Sequence, residues 1–366
     1  MAAPIMNYQC PNCMAGLRFD ESSGRLACDF CDNQFDIELV EQLFADKEQT
    51  AASAGAEPQW DISMTHAFSA EEAAHLRAYS CPSCAAEIIC DDTTAATSCP
   101  YCGNPTIIPG QFGDQLRPDY VIPFKCDKNA AIEALQKYYK GKKFLPANFT
   151  DANHIEEIKG VYVPFWLYDG ETDASMRFRA TKIRKYTRGN YLVTETEHYR
   201  VVREGSVAFE KVPADGSTKM PDAHMDSIEP FSYSELKPFS SAYLPGFLAD
   251  KYDVDAEKCG KRANERITAS TEAVFRNTIS GYTSVVREFS NINLKKGEVY
   301  YALLPVWLLS TKWRDKNYLF AMNGQTGKLI GDLPIDKSKL AKWFFIIAAP
   351  IAAVLSALFF IGGGIV

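Results

Sequence analysis

Two cysteine quartets constrain this chain more than any other feature. Cys10-Pro11-Asn12-Cys13 is followed, after fourteen residues, by Cys28-Asp29-Phe30-Cys31. Cys81-Pro82-Ser83-Cys84 is followed, after another fourteen, by Cys99-Pro100-Tyr101-Cys102. Every cysteine of the second quartet lies 71 positions after its counterpart. A Cys-x2-Cys turn presents two thiolates. Two such turns across a short hairpin place four at the corners of a tetrahedron, which suits zinc. Four cysteines leave no open position for water, so the expectation is two structural Zn2+ ions, one on Cys10, Cys13, Cys28 and Cys31, the other on Cys81, Cys84, Cys99 and Cys102. A redox pair needs only one Cys-x-x-Cys, and two matched quartets argue against it. Gly16, Asn33, Gly103 and Asn104 supply residues that tolerate left-handed backbone beside the turns. Residues 1–10 hold neither a basic start nor an apolar run, so eleven cysteines point to metal rather than disulfides.

The charge bears on what such ribbons can bind. Residues 1–110 hold 4 Lys/Arg and 16 Asp/Glu, whereas the whole chain is only at −7. Each tetrathiolate zinc adds about −2. Phosphate binding needs Lys and Arg on one face, and this region offers Arg18, Arg25, Lys47 and Arg77 alone. The quartets resemble the transcription-factor-IIB-type zinc ribbon, a rubredoxin-like module. That name invites a nucleic-acid reading, which the acidity opposes; the ribbons read instead as protein-binding or spacer modules.

The other extreme of the chain is apolar. Residues 343–366 (WFFIIAAPIAAVLSALFFIGGGIV) carry no charge over 24 positions. As a helix they would reach ~36 Å against a bilayer core of ~30 Å. Lys337, Lys339 and Lys342 precede the segment. By the positive-inside rule they stay cytoplasmic, so the expectation is a single-pass helix in the cytoplasmic membrane with the N-terminal bulk in the cytoplasm. Pro350 is placed to kink it, and Gly362–Gly364 weaken its far end.

Between ribbons and anchor the pattern is mixed α+β. Residues 35–44 (FDIELVEQLF) carry apolar residues at helical spacing, and 51–58 form a small-residue linker. Ser69 and Glu72 make a capping box for a short helix, against which Trp60 and Phe68 are expected to pack. Tyr120–Phe124 reads as a strand and Asp127–Tyr139 as a helix. The phrase VYVPFWLY at 161–168 returns as YALLPVWLL at 301–309, with Pro164 and Trp166 falling 141 positions before Pro305 and Trp307. A helix precedes each phrase, the second over 255–278, and a hairpin follows each. Residues 115–334 therefore read as a duplicated helix-on-antiparallel-sheet body, its Pro-x-Trp a strand-edge proline with a core tryptophan. Gly189-Asn190 is a two-residue turn that places Arg184 opposite Glu195 and Lys182 opposite Glu197, so the basic run Arg177, Arg179, Lys182, Arg184, Lys185, Arg188 reads as a solvated, charge-paired face. Residues 207–253 read as loops and short helices. Tyr318–Gly331 reads as two strands joined at Asn323-Gly324, similar to the strand–turn–strand of PepSY-type domains; Thr326-Gly327-Lys328 lacks Walker spacing.

Taken together, the quartets, GVYVPFWLYDG at 160–170, YLPGFLADKYDVD at 243–255, LLPVWLLSTKW at 303–313 and FAMNGQTGKLIGDLP at 320–334 resemble a family of bacterial membrane-anchored, TFIIB-type zinc ribbon-containing proteins, sometimes mislabelled as a primosomal helicase. The resemblance covers nearly the whole chain and implies zinc and a C-terminal membrane helix, with no established activity. The expected layout is ribbon one with its helix (1–47), linker and short helix (48–78), ribbon two (79–112), a first α+β half (113–212), an irregular connection (213–254), a second half (255–336) and the membrane helix (343–366). No His-Glu-x-x-His, no Gly-x-Ser-x-Gly and no helicase motif set is present. Cys90, Cys126 and Cys259 stand outside the quartets as small apolar side chains. The reading is a non-enzymatic scaffold or adaptor at the membrane, with a protein partner on the acidic ribbons and no small-molecule substrate identified. Two alternatives stand beside it. One is a membrane-tethered nucleic-acid-binding or transcription-regulating factor; the other is an enzyme with a pocket in the body.

Overall fold

The computed structural model describes residues 8, 10, 11, 15–21, 23–31, 33–42, 60–62, 66–94, 98–105, 107–110, 116–146, 148–149, 157–295, 297–314 and 316–362. The expected ligand Cys13, the linker 51–58 and the last four residues of the apolar segment lie outside them. The chain forms two compact units. One comprises Met1–Gln59, Thr172–Val207 and Thr271–Lys295; the other comprises Trp60–Glu171, Ala208–Ser270 and Lys296–Val366.

In the first unit, ribbon one is a three-stranded antiparallel sheet of β1 (Arg18–Asp20), β2 (Arg25–Ala27) and β3 (Gln34–Phe35), with β2 central. Residues 37–42 are helical, as the spacing of 35–44 predicts. The rest of the unit is a long arm. From Thr172 onward the strand Lys159–Arg188 pairs antiparallel with Ser284–Leu294, from Thr172↔Leu294 to Thr181↔Ser284, and also pairs with Tyr191–Asp215. Its alternate residues Ala174, Met176, Phe178 and Ala180 bury against Val201, Phe275 and Ile279, the period of two that a half-buried strand requires. The turn is at Gly189-Asn190, and Gly189 has φ +61°, where a side chain would be strained. Beyond Thr181 the third strand has ended, and 182–198 stand almost wholly exposed.

The expected pairs of Arg184 with Glu195 and Lys182 with Glu197 are not formed, although Arg179 of the same run pairs with Glu288 at 3.7 Å. Lys182 lies over the rings of Tyr199 and Tyr282, Arg184 over Tyr186, and Glu197 accepts from the Tyr199 hydroxyl. Nor is 207–215 a loop: the return strand runs to Asp215.

The second unit is organised on two long neighbours. Lys159–Asp169 pairs antiparallel with Glu298–Leu308, so the two repeated phrases lie side by side, with Tyr162 opposite Pro305 and Pro164 opposite Leu303. Val161, Val163, Phe165 and Leu167, with Ala302, Leu304, Val306 and Leu308, face one core. Tyr162, Trp166 and Tyr168, with Val299, Tyr301 and Leu303, face another. Burial on both faces is why the phrases read as unbroken apolar runs instead of alternating. The helix Ala256–Asn277 contributes Ala256, Cys259 and Ala263 to the second face, and Met225 and Ile228 of Asp222–Ile228 cover the first. The helix expected over Asp127–Tyr139 forms over Lys128–Tyr139 with Asp127 as its cap, and it buries Ala131, Leu135 and Tyr139 against Trp307, Leu309 and Phe320. The sheet is mixed rather than purely antiparallel. Tyr120–Val121 runs parallel to Ala302–Leu303, and Val161–Tyr162 parallel to Leu248–Ala249.

The two prolines are not on an edge strand. Each sits where the ladder on its second side stops, so its missing N–H removes no pairing. The Pro164 carbonyl accepts from Gly216 N–H at 2.9 Å, and that of Pro305 from Gly324 N–H at 2.8 Å. Both tryptophans are buried, with the Trp166 indole donating to Val254 O and that of Trp307 to Cys126 O, each at 2.9 Å. The hairpin over 316–331 forms as expected, with Phe320↔Gly331 and Met322↔Leu329 in register. The Ser69/Glu72 capping box is present. Trp60 and Phe68 pack not on that short helix but on the body: Trp60 meets Tyr168 edge-on at 4.8 Å and donates to Asn264, and Phe68 meets Phe239.

The chain's last described element is a helix, Lys337–Gly362, with Pro350 inside it. Asp336 caps it by accepting from Ser338 and Lys339 N–H. Lys339 donates to Leu145 O at 2.7 Å, and Lys143 lies over the Trp343 ring, which ties the helix base to the loop at 142–145. Over Lys337–Ser356 it is long and apolar enough to cross a membrane, and none of that window is buried. Phe344, Phe345, Ile347, Ile351, Val354 and Leu355 are all exposed, a surface that water disfavours and lipid accepts.

Candidate metal centres

All four knuckle turns close with the same backbone bond. The N–H of Cys10 reaches Ala15 O at 2.6 Å, Cys28 reaches Asn33 O at 2.9 Å, Cys81 reaches Ala86 O at 2.9 Å and Cys99 reaches Asn104 O at 2.9 Å. In ribbon two the turns need left-handed backbone, which Ala85 (φ +55°) and Gly103 (φ +71°) supply. The glycine pays no steric cost there, whereas the alanine is held by its N–H bond to Cys81 O at 2.8 Å.

These turns bring the sulfurs together. Cys81, Cys84, Cys99 and Cys102 place their Sγ atoms within 4.8 Å of one another, and so do Cys10, Cys28 and Cys31 in ribbon one. The measured edges are 3.6 Å for Cys81–Cys102, Cys84–Cys99 and Cys10–Cys31. A tetrahedron with ~2.3 Å metal–sulfur bonds has edges of ~3.8 Å. The four sulfurs of ribbon two are therefore already spaced to hold one tetrahedral metal ion, and the three described in ribbon one fit three corners of the same figure. The acidity of the thiols follows their surroundings. The Asn33 amide donating to Cys31 brings that thiol down to about 6. Burial pushes Cys81 up, but the N–H groups of Cys84 and Ser83 outweigh it and carry the thiol down to about 7. Burial pushes Cys84 up to about 11 and Cys99 further. A bound cation would favour all four thiolates.

The two ribbons are used differently. Ribbon two belongs to the body. Its strands Leu76–Ser80 and Glu87–Asp91 pair with each other, and the second pairs onward with Leu248–Asp250. Cys81, Ala86, Ile88, Cys90, Cys99 and Tyr101 join the core of Val161, Phe165 and Val306. Lysines approach the knuckles from the body: Lys159 Nζ donates to Ser98 O at 2.7 Å, and Lys219 Nζ to Cys84 O at 3.3 Å. Such placement compensates a centre that would carry about −2 with metal bound. Beneath Tyr101 lies an acidic cluster that the sequence did not announce. Ser217 donates its Oγ to Asp250 at 2.6 Å and its N–H to Asp215 at 3.1 Å. The second oxygen of Asp215 is buried with no hydrogen-bond partner, while the Tyr101 hydroxyl lies close enough to Asp250 to lower its carboxyl. Burial raises both carboxyls, Asp250 to about 7 and Asp215 well above the usual range. Asp215 and Asp250 are 35 residues apart, too far for any motif to have linked them.

The remaining cysteines are held as buried donors. Cys90 donates to Thr94 O at 3.0 Å and Cys259 to Asp215 O at 3.2 Å. Burial pushes the Cys259 thiol up to about 12 and raises that of Cys126, which disfavours the thiolate a nucleophile needs.

No family model and no solved structure matches the chain. Among curated proteins it is similar to the uncharacterized protein YdjG of Bacillus subtilis strain 168, with 37% identity over 340 residues, 93% of each chain. Similarity of that extent places this chain in one family with YdjG.

Proposed function

We propose that the chain is a membrane-anchored, zinc-binding adaptor of the TFIIB-type ribbon class, in which ribbon two is structural and ribbon one recruits a protein. One comparison carries this reading. Phe30 and Tyr101 occupy the same knuckle position, 71 residues apart, as do Phe19 and Cys90. In ribbon two, Tyr101 is 6% exposed and Cys90 0%, because the body covers that face. In ribbon one, Phe30 is 81% exposed and Phe19 52%. The positions that ribbon two buries in its own chain are open in ribbon one, and a phenylalanine stands there in place of Cys90. Exposed aromatic residues on an acidic module suit a partner with an apolar pocket and a basic rim.

Zinc is the ion that tetrathiolate sites of this spacing favour, and two per chain are expected. The apolar helix is read as a single-pass anchor with Lys337, Lys339 and Lys342 on the cytoplasmic side. The test is affinity capture of full-length protein in mild detergent, with zinc quantified on the same sample. A recurrent partner that is lost in Phe19→Ser/Phe30→Ser, at undiminished zinc content, supports the reading. The same partners recovered equally with this variant would overturn it. Catalysis has no part in the proposal.

A further inference from the structure

The arm ends in a surface that the adaptor reading does not use. Between 182 and 192 the chain reads KIRKYTRGNYL, with four basic residues and no acidic one. This stretch lies past the end of the third strand, which stops at Ser284 opposite Thr181. It is therefore a bare two-stranded ribbon, a form that is marginal in water by itself. Its large apolar side chains are in solvent: Tyr191 is 78% exposed and Leu192 71%, and Ile183 and Tyr186 are also exposed. Among the described residues no carboxylate pairs with Lys185 or Arg188, while Lys182 and Arg184 rest over tyrosine rings. The tip thus combines cationic charge, tyrosines and aliphatic groups around a tight turn.

We propose that this tip, Lys182–Leu192, is a docking site for the anionic headgroup layer of a bilayer. Three observations select that occupant. The cationic side chains complement phosphate-bearing lipid, and each Lys or Arg near such a surface adds to binding. Tyrosine beside leucine and isoleucine is the composition of the membrane interface, where one end of the ring is wet and the other apolar. The same chain carries a helix long and apolar enough to cross a membrane. A nucleic acid would be served by the charges but would leave Leu192 and Ile183 without partners.

The test is hydrogen–deuterium exchange of the full-length protein in nanodiscs, once with neutral phosphatidylcholine and once with one quarter phosphatidylglycerol. Backbone exchange over 182–192 is expected to slow several-fold in the anionic discs, and to return to the neutral value in high salt. At ~1 kcal/mol per basic residue, and tenfold per ~1.4 kcal/mol, Lys185→Glu/Arg188→Glu should lower the affinity of the tip for the anionic surface at least tenfold, which abolishes the several-fold protection. Unchanged exchange over 284–294 verifies that the arm remains folded. Tyr191→Ser/Leu192→Ser, which keeps every charge, should also weaken protection. Equal exchange in both discs would overturn the proposal. So would protection that appears only when DNA or RNA is added, or protection that survives the charge reversals.

Discussion

Asp250 should make the stability of this protein fall as the pH rises towards 7. Its carboxyl is 1% exposed, takes a hydrogen bond from Ser217 and lies beside the Tyr101 hydroxyl and a second buried carboxyl at Asp215. Burial raises it to about 7 even though the Ser217 hydroxyl works in the opposite direction. The unfolded chain titrates near ~3.9. Between these two values the native state holds a proton that the unfolded state has released, so stability falls as pH rises. Above the folded value the loss levels off at a ceiling of ~4 kcal/mol, from about 3 units at ~1.36 kcal/mol each. Most of that loss lies at acid pH, where the thiolate centres also lose metal. The usable window runs from about pH 6 to about pH 9, over which the wild type should lose ~1.4 kcal/mol through this group. Asp250→Asn keeps an acceptor for Ser217, has nearly the same volume and carries no charge. It should flatten the pH profile and be more stable than the wild type at the alkaline end. The assay is urea unfolding of metal-loaded protein in detergent, followed by tryptophan fluorescence at both ends of the window. Parallel wild-type and variant profiles would refute the argument, because the proton would then be held elsewhere.

Other changes should separate the parts of the molecule. Cys99→Ser should release one metal per chain and lower the unfolding midpoint of the whole body, since Cys99 and Tyr101 sit in its core; Cys28→Ser should release one metal and leave that midpoint unchanged, as read by metal content and denaturant melts of each. Gly324→Ala would place a Cβ 2.6 Å from the Phe124 ring and 3.0 Å from Pro305 Cβ. It should cost ~1–3 kcal/mol in urea, more than Gly216→Ala, whose nearest neighbour is Trp166 Nε1 at 3.2 Å. Trp307→Phe removes the indole bond to Cys126 O and leaves a buried acceptor unpaired, for which ~1–3 kcal/mol is expected, measured by the shift in urea midpoint at constant slope.

Local features were legible wherever a short stretch carried its own geometric requirement. The cysteine spacings specify four turns that the structure closes with one repeated bond. The Ser69/Glu72 box, the turn at Gly189-Asn190 and the hairpin near Asn323-Gly324 also follow from a few adjacent residues. What was not legible depends on distant segments meeting. Tyr120–Val121 runs parallel to its neighbour because a two-residue strand takes whichever edge is left. Lys182 lies over rings rather than beside Glu197 because Tyr199 and Tyr282 are brought next to it from farther along the chain. Asp215 and Asp250 look like ordinary surface carboxylates in sequence, and only the covering by ribbon two makes them interior groups.

The Pro-x-Trp phrases show how a repeated motif can mislead about binding and still inform about construction. A proline and a tryptophan two apart on a strand place both side chains on one face, which invites a groove for an extended ligand. Here neither is available to a ligand. Each proline marks the end of a ladder, and its carbonyl takes the N–H of a glycine that opens the next segment, Gly216 in one case and Gly324 in the other. Each tryptophan reaches past that point to a carbonyl of another loop, Val254 or Cys126. A Cβ on either glycine would press on the phrase it faces, on Trp166 Nε1 and Pro164 O in one case and on Pro305 Cβ in the other. The phrase is thus one device used twice: it stops pairing, admits a glycine at close range and pins a loop with an indole. Its recurrence follows from two adjacent strands that face the same packing problem from opposite directions. The surfaces proposed for partners are accordingly elsewhere, at the knuckle of ribbon one, where Phe19 and Phe30 are exposed, and at the tip of the arm, where Tyr191 and Leu192 are.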